Sequence, residues 1–154
     1  MSSLVVYYSK TGVTRKAAVA ISRMLGSDIE EIVDLKNRGG IMGWLMGGRD
    51  ACLKNLTEIK RPKKDPSKYN YVVIGTPVWV TVTPAVRTYI TKKCRSLKKV
   101  AFFCTNDGSP GNTFKVMQEL CGKKPVAALS LSRKDMRSGE YFDKIRKFVS
   151  KIKT

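Results

Sequence analysis

The 154-residue chain contains no histidine, and this absence removes several kinds of chemistry at once. Without histidine the chain lacks the usual general base, and it cannot build the Ser-His or Cys-His pairs that activate many nucleophiles. A metal site would need sulfur and carboxylate ligands, and these residues are not clustered in the sequence. Hydrolysis is therefore disfavoured, and chemistry carried by a bound cofactor is the better hypothesis.

Cysteines and long hydrophobic runs are also few. The four cysteines, Cys52, Cys94, Cys104 and Cys121, form no close pair, which favours free thiols in a reducing cytoplasm. No apolar stretch approaches the roughly 20 residues of a membrane span, and the N-terminus begins with a strand-like run rather than a basic signal sequence. We expect a single cytoplasmic domain over residues 1–154, with enough apolar material for a core.

Acidic residues are scarce relative to basic ones. The chain has 30 Lys and Arg against 12 Asp and Glu, a formal net charge of +18. The cations are spread along the chain, and few aromatic residues alternate with them as a single-strand nucleic-acid platform would require. A solvated lysine surface explains most of this charge, while some role in attracting acidic partners stays open.

Apolar runs of strand length alternate with helix-like segments along the chain. The predicted strands are Leu4–Tyr8, Ile29–Leu35, Tyr71–Gly75, Val100–Cys104 and Val126–Leu131, and the predicted helices are Val13–Leu25, Pro84–Cys94, Phe114–Leu120 and Tyr141–Ile152. Most of the strand runs are continuous rather than alternating, as expected for strands buried on both faces. Their order predicts a parallel sheet covered by helices. Two Gly-Gly pairs within Gly39–Leu56 predict a broken helix packed on the sheet.

The segment Tyr8–Thr14 is rich in hydroxyls and leads directly from the first predicted strand into a helix. The first turn of a helix has unpaired N–H groups and a partial positive charge, so such a loop can hold a phosphate. The loop has too few glycines for the dinucleotide fingerprint, and it lacks the Gly-Lys-Ser/Thr of a Walker loop. Its hydroxyls suit a compact terminal phosphate, although Ser and Thr also cap helices that bind nothing.

Two further loops should reach the same edge of the sheet, where open parallel sheets bind their ligands. One follows the third strand over Thr76–Thr81, and the other follows the fourth strand over Thr105–Asn112. Trp79 offers a broad face for stacking, unless it is a wedge against a helix. The backbone around Gly108 can reach polar ring edges, unless this loop is only a polar connection. Together with the phosphate loop, these features indicate flavin mononucleotide (FMN) as the ligand.

On these residues the chain resembles the flavodoxin family, over Leu4 to Ile152. The matching segments are Tyr8–Thr14, Ile74–Trp79 and Phe103–Gly108. The resemblance implies a three-layer flavodoxin-like fold with a five-stranded parallel sheet in the strand order 2-1-3-4-5. It also implies one tightly but non-covalently bound FMN that carries electrons.

The resemblance assigns roles to residues in all three loops. It implies that the phosphate is held by Ser9, Thr11, Gly12 and Thr14, with the backbone amides of Lys10 and Val13. Trp79 would lie against the inner face of the isoalloxazine ring, in a wall shaped by Thr76, Pro77, Val78 and Val80. The pyrimidine end and the outer side of the ring would contact Thr105, Asn106, Asp107 and Gly108.

Two features depart from the electron-carrier flavodoxins. The third loop has no aromatic residue before Phe114, so the outer face of the flavin would be open to a substrate or a second subunit, as in flavodoxin-like quinone or NAD(P)H oxidoreductases. The chain is also basic where those carriers are acidic. Lys10 and Arg15 near the flavin should therefore favour its anionic reduced form.

Three functions stay open, and the first is preferred. An FMN-dependent electron-transfer protein is the main hypothesis, an FMN-dependent NAD(P)H or quinone oxidoreductase is the alternative, and a flavin-free nucleic-acid-binding module is disfavoured by the phosphate loop. The expected partners are a redox protein, acidic if the charge serves docking, or a small quinone-like acceptor. We expect a monomer or a weak dimer.

Overall fold

A computed structural model describes residues 1–36 and 56–154 of the chain. Its strands are β1 (Ser3–Tyr7), β2 (Asp28–Glu31), β3 (Tyr71–Trp79), β4 (Thr81–Val82), β5 (Lys99–Asn106) and β6 (Ala128–Ser132). Its α-helices are α1 (Val13–Leu25), α2 (Pro84–Lys93), α3 (Thr113–Cys121), α4 (Arg133–Ser138) and α5 (Tyr141–Lys153), with 3-10 turns at Pro66–Lys68 and Cys94–Ser96. None of the described helices is long and apolar enough to cross a membrane. The broken helix predicted over Gly39–Leu56 lies, apart from Leu56, outside the described residues.

Within the described residues, five strands pair in parallel in the order β2-β1-β3-β5-β6, and the two-residue β4 pairs antiparallel with the end of β3. Counted among the parallel strands alone, this is the predicted order 2-1-3-4-5, so the predicted fold class is confirmed. The register sets Tyr7 beside Gly75 and Pro77 beside Thr105. The carboxyl ends of β1, β3 and β5 therefore lie side by side at one edge of the sheet.

Helices cover both faces of the sheet, which explains the continuous apolar strands. Val5 and Tyr7 of β1 pack in one core cluster with residues of α1 and α5, whereas Leu4 and Val6 pack in the other with residues of α2 and α3. Successive side chains of a strand point to opposite faces, so a strand with helices on both sides needs apolar residues at every position.

Strand β3 is longer and β2 shorter than the sequence pattern predicts. Beyond Gly75, β3 continues to Trp79 because it keeps pairing with β5 and then turns back into β4. The predicted loop Thr76–Thr81 is therefore mostly strand. Strand β2 ends at Glu31 instead of Leu35, and Leu35 is exposed.

Gly75 marks a close approach inside the sheet. A Cβ atom at this position would lie 2.0 Å from the ring carbon Cζ of Phe103 on the neighbouring strand β5. Only a residue without a side chain leaves room for that ring. The close packing brings β3 and β5 together directly below the loops that follow them.

Candidate functional site

A cavity of about 780 Å³ opens where β1, β3, β5 and β6 end, a size within the range of roughly 300–1,000 Å³ for small-molecule sites. The residues of the three predicted loops that line it are Lys10, Thr11, Val13, Thr14, Pro77, Val78, Trp79, Val80, Thr105, Asn106 and Asp107. The fold thus brings the three loops together around one space. Ser9, Gly12, Thr76 and Gly108 were predicted for the same site but do not line the cavity.

The loop after β1 ends in a glycine that sets the start of helix α1. Gly12 has φ 96° and ψ −8°, a left-handed conformation, and its N–H donates to the hydroxyl oxygen of Ser9 at 3.0 Å. Helix α1 begins at the next residue with no side-chain cap. Ser9 and Gly12 therefore shape the loop, while the N–H groups of the first helical turn have no partner within the helix.

Hydroxyls and a cation surround this helix terminus. Thr11 and Lys10 line the cavity, and Thr11 is exposed. The buried hydroxyl oxygen of Thr14 lies 2.7 Å from that of Thr105, so the first loop is tied to the end of β5. Helix N–H groups, hydroxyls and an ammonium are donors that suit a phosphate. The residues present therefore fit the phosphate end of FMN.

The wall after Gly75 is a tight hairpin rather than a loose loop. β3 runs through Pro77 and Val78 to Trp79, and the chain reverses at Val80, which is 70% exposed. Val80 has φ 66°, the left-handed region that a β-branched residue rarely adopts. Such strained conformations persist only where the surroundings hold them, and they cluster at functional sites.

Trp79 is held by two neighbours from the first loop. The ring of Tyr8 meets it edge-on, with the centroids 5.6 Å apart at 84°, and the Nζ atom of Lys10 lies 5.6 Å from the centroid of a Trp79 ring. Trp79 also packs partly against the core. It thus packs against the core and also lines the cavity, and its stacking on a flavin stays a prediction.

Thr76 lies below the cavity instead of in its wall. It is fully buried, and its hydroxyl donates to the carbonyl of Pro77 at 2.8 Å and lies 3.1 Å from the hydroxyl of Thr83. These contacts join the end of β3 to the start of α2. The position of Thr76 indicates a supporting role for the hairpin that carries Trp79.

The end of β5 holds a buried hydrogen-bond acceptor without a partner, in a residue that lines the cavity. The side-chain nitrogen Nδ2 of Asn106 donates to the hydroxyl of Ser130 at 2.8 Å, but its oxygen Oδ1 is buried and has no hydrogen-bond partner. Leaving such a group unpaired costs about 1–3 kcal/mol. A ligand N–H, such as that of the flavin pyrimidine, would reach this oxygen only if the Asn106 side chain turned toward the cavity.

Several lining residues were missed by the sequence analysis. They are Lys16, Leu131, Arg133, Met136 and Arg137. Four of these lie on β6 and α4, whose segment was not considered because it has no glycine-rich or aromatic loop. The sequence did offer one signal of helix α4, because Ser132 and Asp135 have the spacing of a capping box. In the structure this box starts α4, with hydrogen bonds of 3.1 Å and 2.8 Å.

Arg15 is directed elsewhere than expected. It donates two hydrogen bonds to the carboxylate of Glu31, at 2.7 and 2.9 Å, and does not line the cavity. The hydrogen bond to Glu31, followed by one to Tyr7, raises the pKa of Arg15. Its charge is thus paired at the edge strand β2. Among the described residues, the cations that line the cavity are Lys10, Lys16, Arg133 and Arg137.

Comparison with known proteins supports the architecture. No protein-family model matches the chain, and no curated protein matches it. Among solved structures, the chain is similar to a flavoprotein from Lactobacillus acidophilus in complex with FMN, with 21% identity, a TM-score of 0.74, and 91% of this chain and 97% of that chain covered. It is also similar to a flavodoxin from Megasphaera elsdenii, with 14% identity, a TM-score of 0.59, and 96% and 98% covered.

The chain is also similar to a flavodoxin from the domain Archaea. It is 16% identical, with a TM-score of 0.57 and all of both chains covered. At these identities the likeness establishes the architecture, and the chain therefore has the flavodoxin-like fold.

Proposed function

We propose that this protein binds one FMN non-covalently in the cavity and uses it to transfer electrons. The observation that carries the proposal is the meeting of three loops, each chosen from the sequence for a different part of the flavin, around one cavity of about 780 Å³. The flavodoxin-like fold supports the same ligand, because a similar structure was solved in complex with FMN.

The phosphate would bind at the N-terminus of α1. The first-turn N–H groups and the hydroxyl of Thr11 supply hydrogen bonds, and Lys10 supplies a positive charge. Ser9 and Gly12 fix the loop through their 3.0 Å hydrogen bond. Thr14 keeps the loop against β5 through Thr105. Riboflavin lacks the phosphate, so it should bind far more weakly than FMN.

The flavin ring would lie between Trp79 and the end of β5. Trp79 is oriented by Tyr8 and Lys10, so stacking on it requires little further ordering. Asn106, whose Oδ1 atom is buried without a partner, would turn toward the cavity and accept a hydrogen bond from the pyrimidine N–H of the flavin. Pro77 and Val78 would shield the same side of the ring from water. When bound, FMN supplies one- and two-electron transfer.

A second function, an FMN-dependent oxidoreductase, is favoured by one observation. The cavity extends past the predicted site to Leu131, Met136 and the two arginines of α4, and the segment Thr105–Asn112 holds no aromatic residue that would cover the flavin. An electron carrier needs no such space. Steady consumption of NADH or NADPH with a quinone, in the absence of any added reductase, would identify the enzyme; reduction only through a partner reductase would identify the carrier.

The flavin itself can be tested by calorimetric titration of flavin-free protein. One-to-one, saturable binding of FMN supports the proposal, and no heat of binding would contradict it.

We further infer a cytoplasmic protein that acts as a monomer or weak dimer, with an acidic redox protein or a small quinone-like compound as its partner. The described cysteines Cys94, Cys104 and Cys121 are free thiols, which suits a reducing compartment.

A further inference from the structure

One wall of the cavity has chemistry that the flavin does not require. Lys16 of α1 and Arg133 and Arg137 of α4 are exposed cations that line it, and the buried side chains of Leu131 and Met136 line it beside them. Arg133 and Arg137 are four residues apart, so they project from the same side of their helix. This wall therefore presents three positive charges above apolar side chains that are almost fully buried, with Leu131 0% and Met136 8% exposed.

Contacts with neighbouring elements order two of these cations. An Nη atom of Arg133 lies 2.7 Å from Oδ1 of Asp107, the residue that follows β5. The Nζ atom of Lys16 lies 5.2 Å from the centroid of the ring of Tyr141, at the start of α5. The three cations of this wall thus lie on α1 and α4, and Arg133 contacts the loop after β5 through Asp107.

The charge of the lining exceeds what FMN can neutralise. Lys10, Lys16, Arg133 and Arg137 carry four positive charges, and Asp107 is the single carboxylate among the described lining residues, which leaves a net charge of +3. A phosphate monoester carries about −1.5 to −2 at neutral pH, and the N-terminus of α1 already stabilises it. Positive charge therefore remains for a second anion.

We propose that Lys16, Arg133 and Arg137 form the binding site of a small anionic aromatic electron acceptor, a quinone that carries carboxylate, sulfonate or phosphate groups. The ring of the acceptor lies over Met136, and its anionic groups bind Lys16 and Arg137, beside Arg133, which is paired with Asp107. The inference rests on the proposed function and names the substrate class of the oxidoreductase alternative. Bound FMN would supply the electrons: its anionic reduced form would give two electrons and one proton to the quinone, the second proton would come from solvent, and the products would be oxidised FMN and a hydroquinone.

The test is the binding of anthraquinones of increasing charge to the FMN-loaded protein. The probes are 2-(hydroxymethyl)anthraquinone, anthraquinone-2-sulfonate and anthraquinone-2,6-disulfonate, which carry no, one and two negative charges. Calorimetry measures their dissociation constants, and flavin fluorescence reports whether FMN stays bound. The same probes are then applied to protein reduced with dithionite under anaerobic conditions, and the rate of flavin reoxidation is followed by absorbance.

Variants separate this wall from the general charge of the protein. Arg137→Gln and Lys16→Gln each remove one cation of the wall, whereas Lys134→Gln removes a neighbouring cation of α4 that does not line the cavity. We expect each wall variant to weaken disulfonate binding by a factor of about three to ten. The uncharged anthraquinone should be unaffected, and Lys134→Gln should resemble the natural protein with every probe.

Three results would overturn the proposal. Equal binding of the charged and uncharged probes would show that the cations do not select an anion, and equal losses in Lys134→Gln and Arg137→Gln would show a general charge effect. Release of FMN by the disulfonate would show that both occupy one site. Binding of FMN is measured separately, so a protein that does not bind FMN would contradict the proposed function, while the charge dependence of anthraquinone binding to the flavin-free protein would still decide this inference.

Discussion

The hydroxyl oxygens of Thr14 and Thr105 lie 2.7 Å apart in the interior, although 91 positions separate these residues in the sequence. Thr14 belongs to the first turn of α1, beside the proposed phosphate site, and Thr105 belongs to the end of β5, beside the proposed ring site. The pair therefore joins the two halves of the proposed flavin site. Both residues line the cavity, and their contact ties the first loop to the end of β5.

Replacing Thr14 with valine should weaken both folding and FMN binding. The change keeps the shape but leaves the buried Thr105 hydroxyl without its partner, which costs about 1–3 kcal/mol. Urea denaturation measures the loss, and FMN titration measures the accompanying loss of affinity. The double variant Thr14→Val, Thr105→Val removes both polar groups and should recover much of the stability. A double variant less stable than either single one would contradict this account.

Replacing Val80 with glycine should stabilise the hairpin that carries Trp79. Val80 has φ 66°, and strain of this kind costs about 1–3 kcal/mol, whereas a glycine adds roughly 0.5–1 kcal/mol of unfolded-state entropy. The expected net gain is about 1 kcal/mol in the free energy of unfolding in urea. Val78→Gly is the control, because Val78 lies in the paired part of β3 and its replacement should destabilise the protein. A loss of stability in Val80→Gly would show that the conformation is unstrained.

Asp135 should make stability depend on pH in the acid range. Burial alone would raise the pKa of its carboxyl, but hydrogen bonds with Lys144 and Ser132 outweigh burial and hold the pKa below its ordinary value. A carboxyl with a lowered pKa stabilises the fold at pH values above its unfolded pKa of about 3.9, and this contribution is lost as the pH falls through the folded pKa.

The free energy of unfolding, measured from pH 6 to pH 2, should therefore fall more steeply for the natural protein than for Asp135→Asn. Asp143→Asn removes an exposed carboxylate that pairs with Arg146, and it should leave the profile close to that of the natural protein. If Asp135→Asn and the natural protein lose stability in parallel, Asp135 does not contribute through its charge.

The potential of the bound flavin should respond to Lys10 more than to Arg15. Lys10 lines the cavity, so its positive charge favours the anionic reduced flavin, whereas the charge of Arg15 is paired with Glu31. Lys10→Gln should make the potential for full reduction more negative, and Arg15→Gln should change it less, in an anaerobic potentiometric titration. The natural protein should have a less negative potential than acidic flavodoxins. An equal shift of the potential in both variants would show that the ion pair with Glu31 does not reduce the effect of Arg15 on the flavin.

The sequence predicted the parts of the fold that depend on local patterns. Continuous apolar runs marked the strands that are buried on both faces, and the spacing of Ile145, Phe148 and Ile152 marked one face of α5. Phe142, which lies three residues before Ile145 and fits the same spacing, is exposed, whereas Tyr141 beside it is buried. Ends of elements depend on long-range pairing, which is why β3 extends past Gly75.

The site was predictable where each loop had its own chemical signature. The loop containing Gly12 and the hairpin containing Trp79 were found in this way. Helix α4 was missed because its short, polar sequence shows no apolar periodicity, and its two arginines reach the cavity only through the order of the strands. The pairing of Arg15 with Glu31 was missed for a similar reason, since it joins two elements through the parallel pairing of β1 and β2.

The most direct test of the account is a titration of flavin-free protein into FMN, followed by flavin fluorescence, with riboflavin in parallel. The account predicts strong quenching of FMN fluorescence with one-to-one stoichiometry and little quenching of riboflavin at the same concentrations, because the loop over Ser9–Thr14 binds the phosphate. Equal quenching of both flavins would contradict the assigned role of that loop, and no quenching of either would contradict the proposal that this fold binds a flavin.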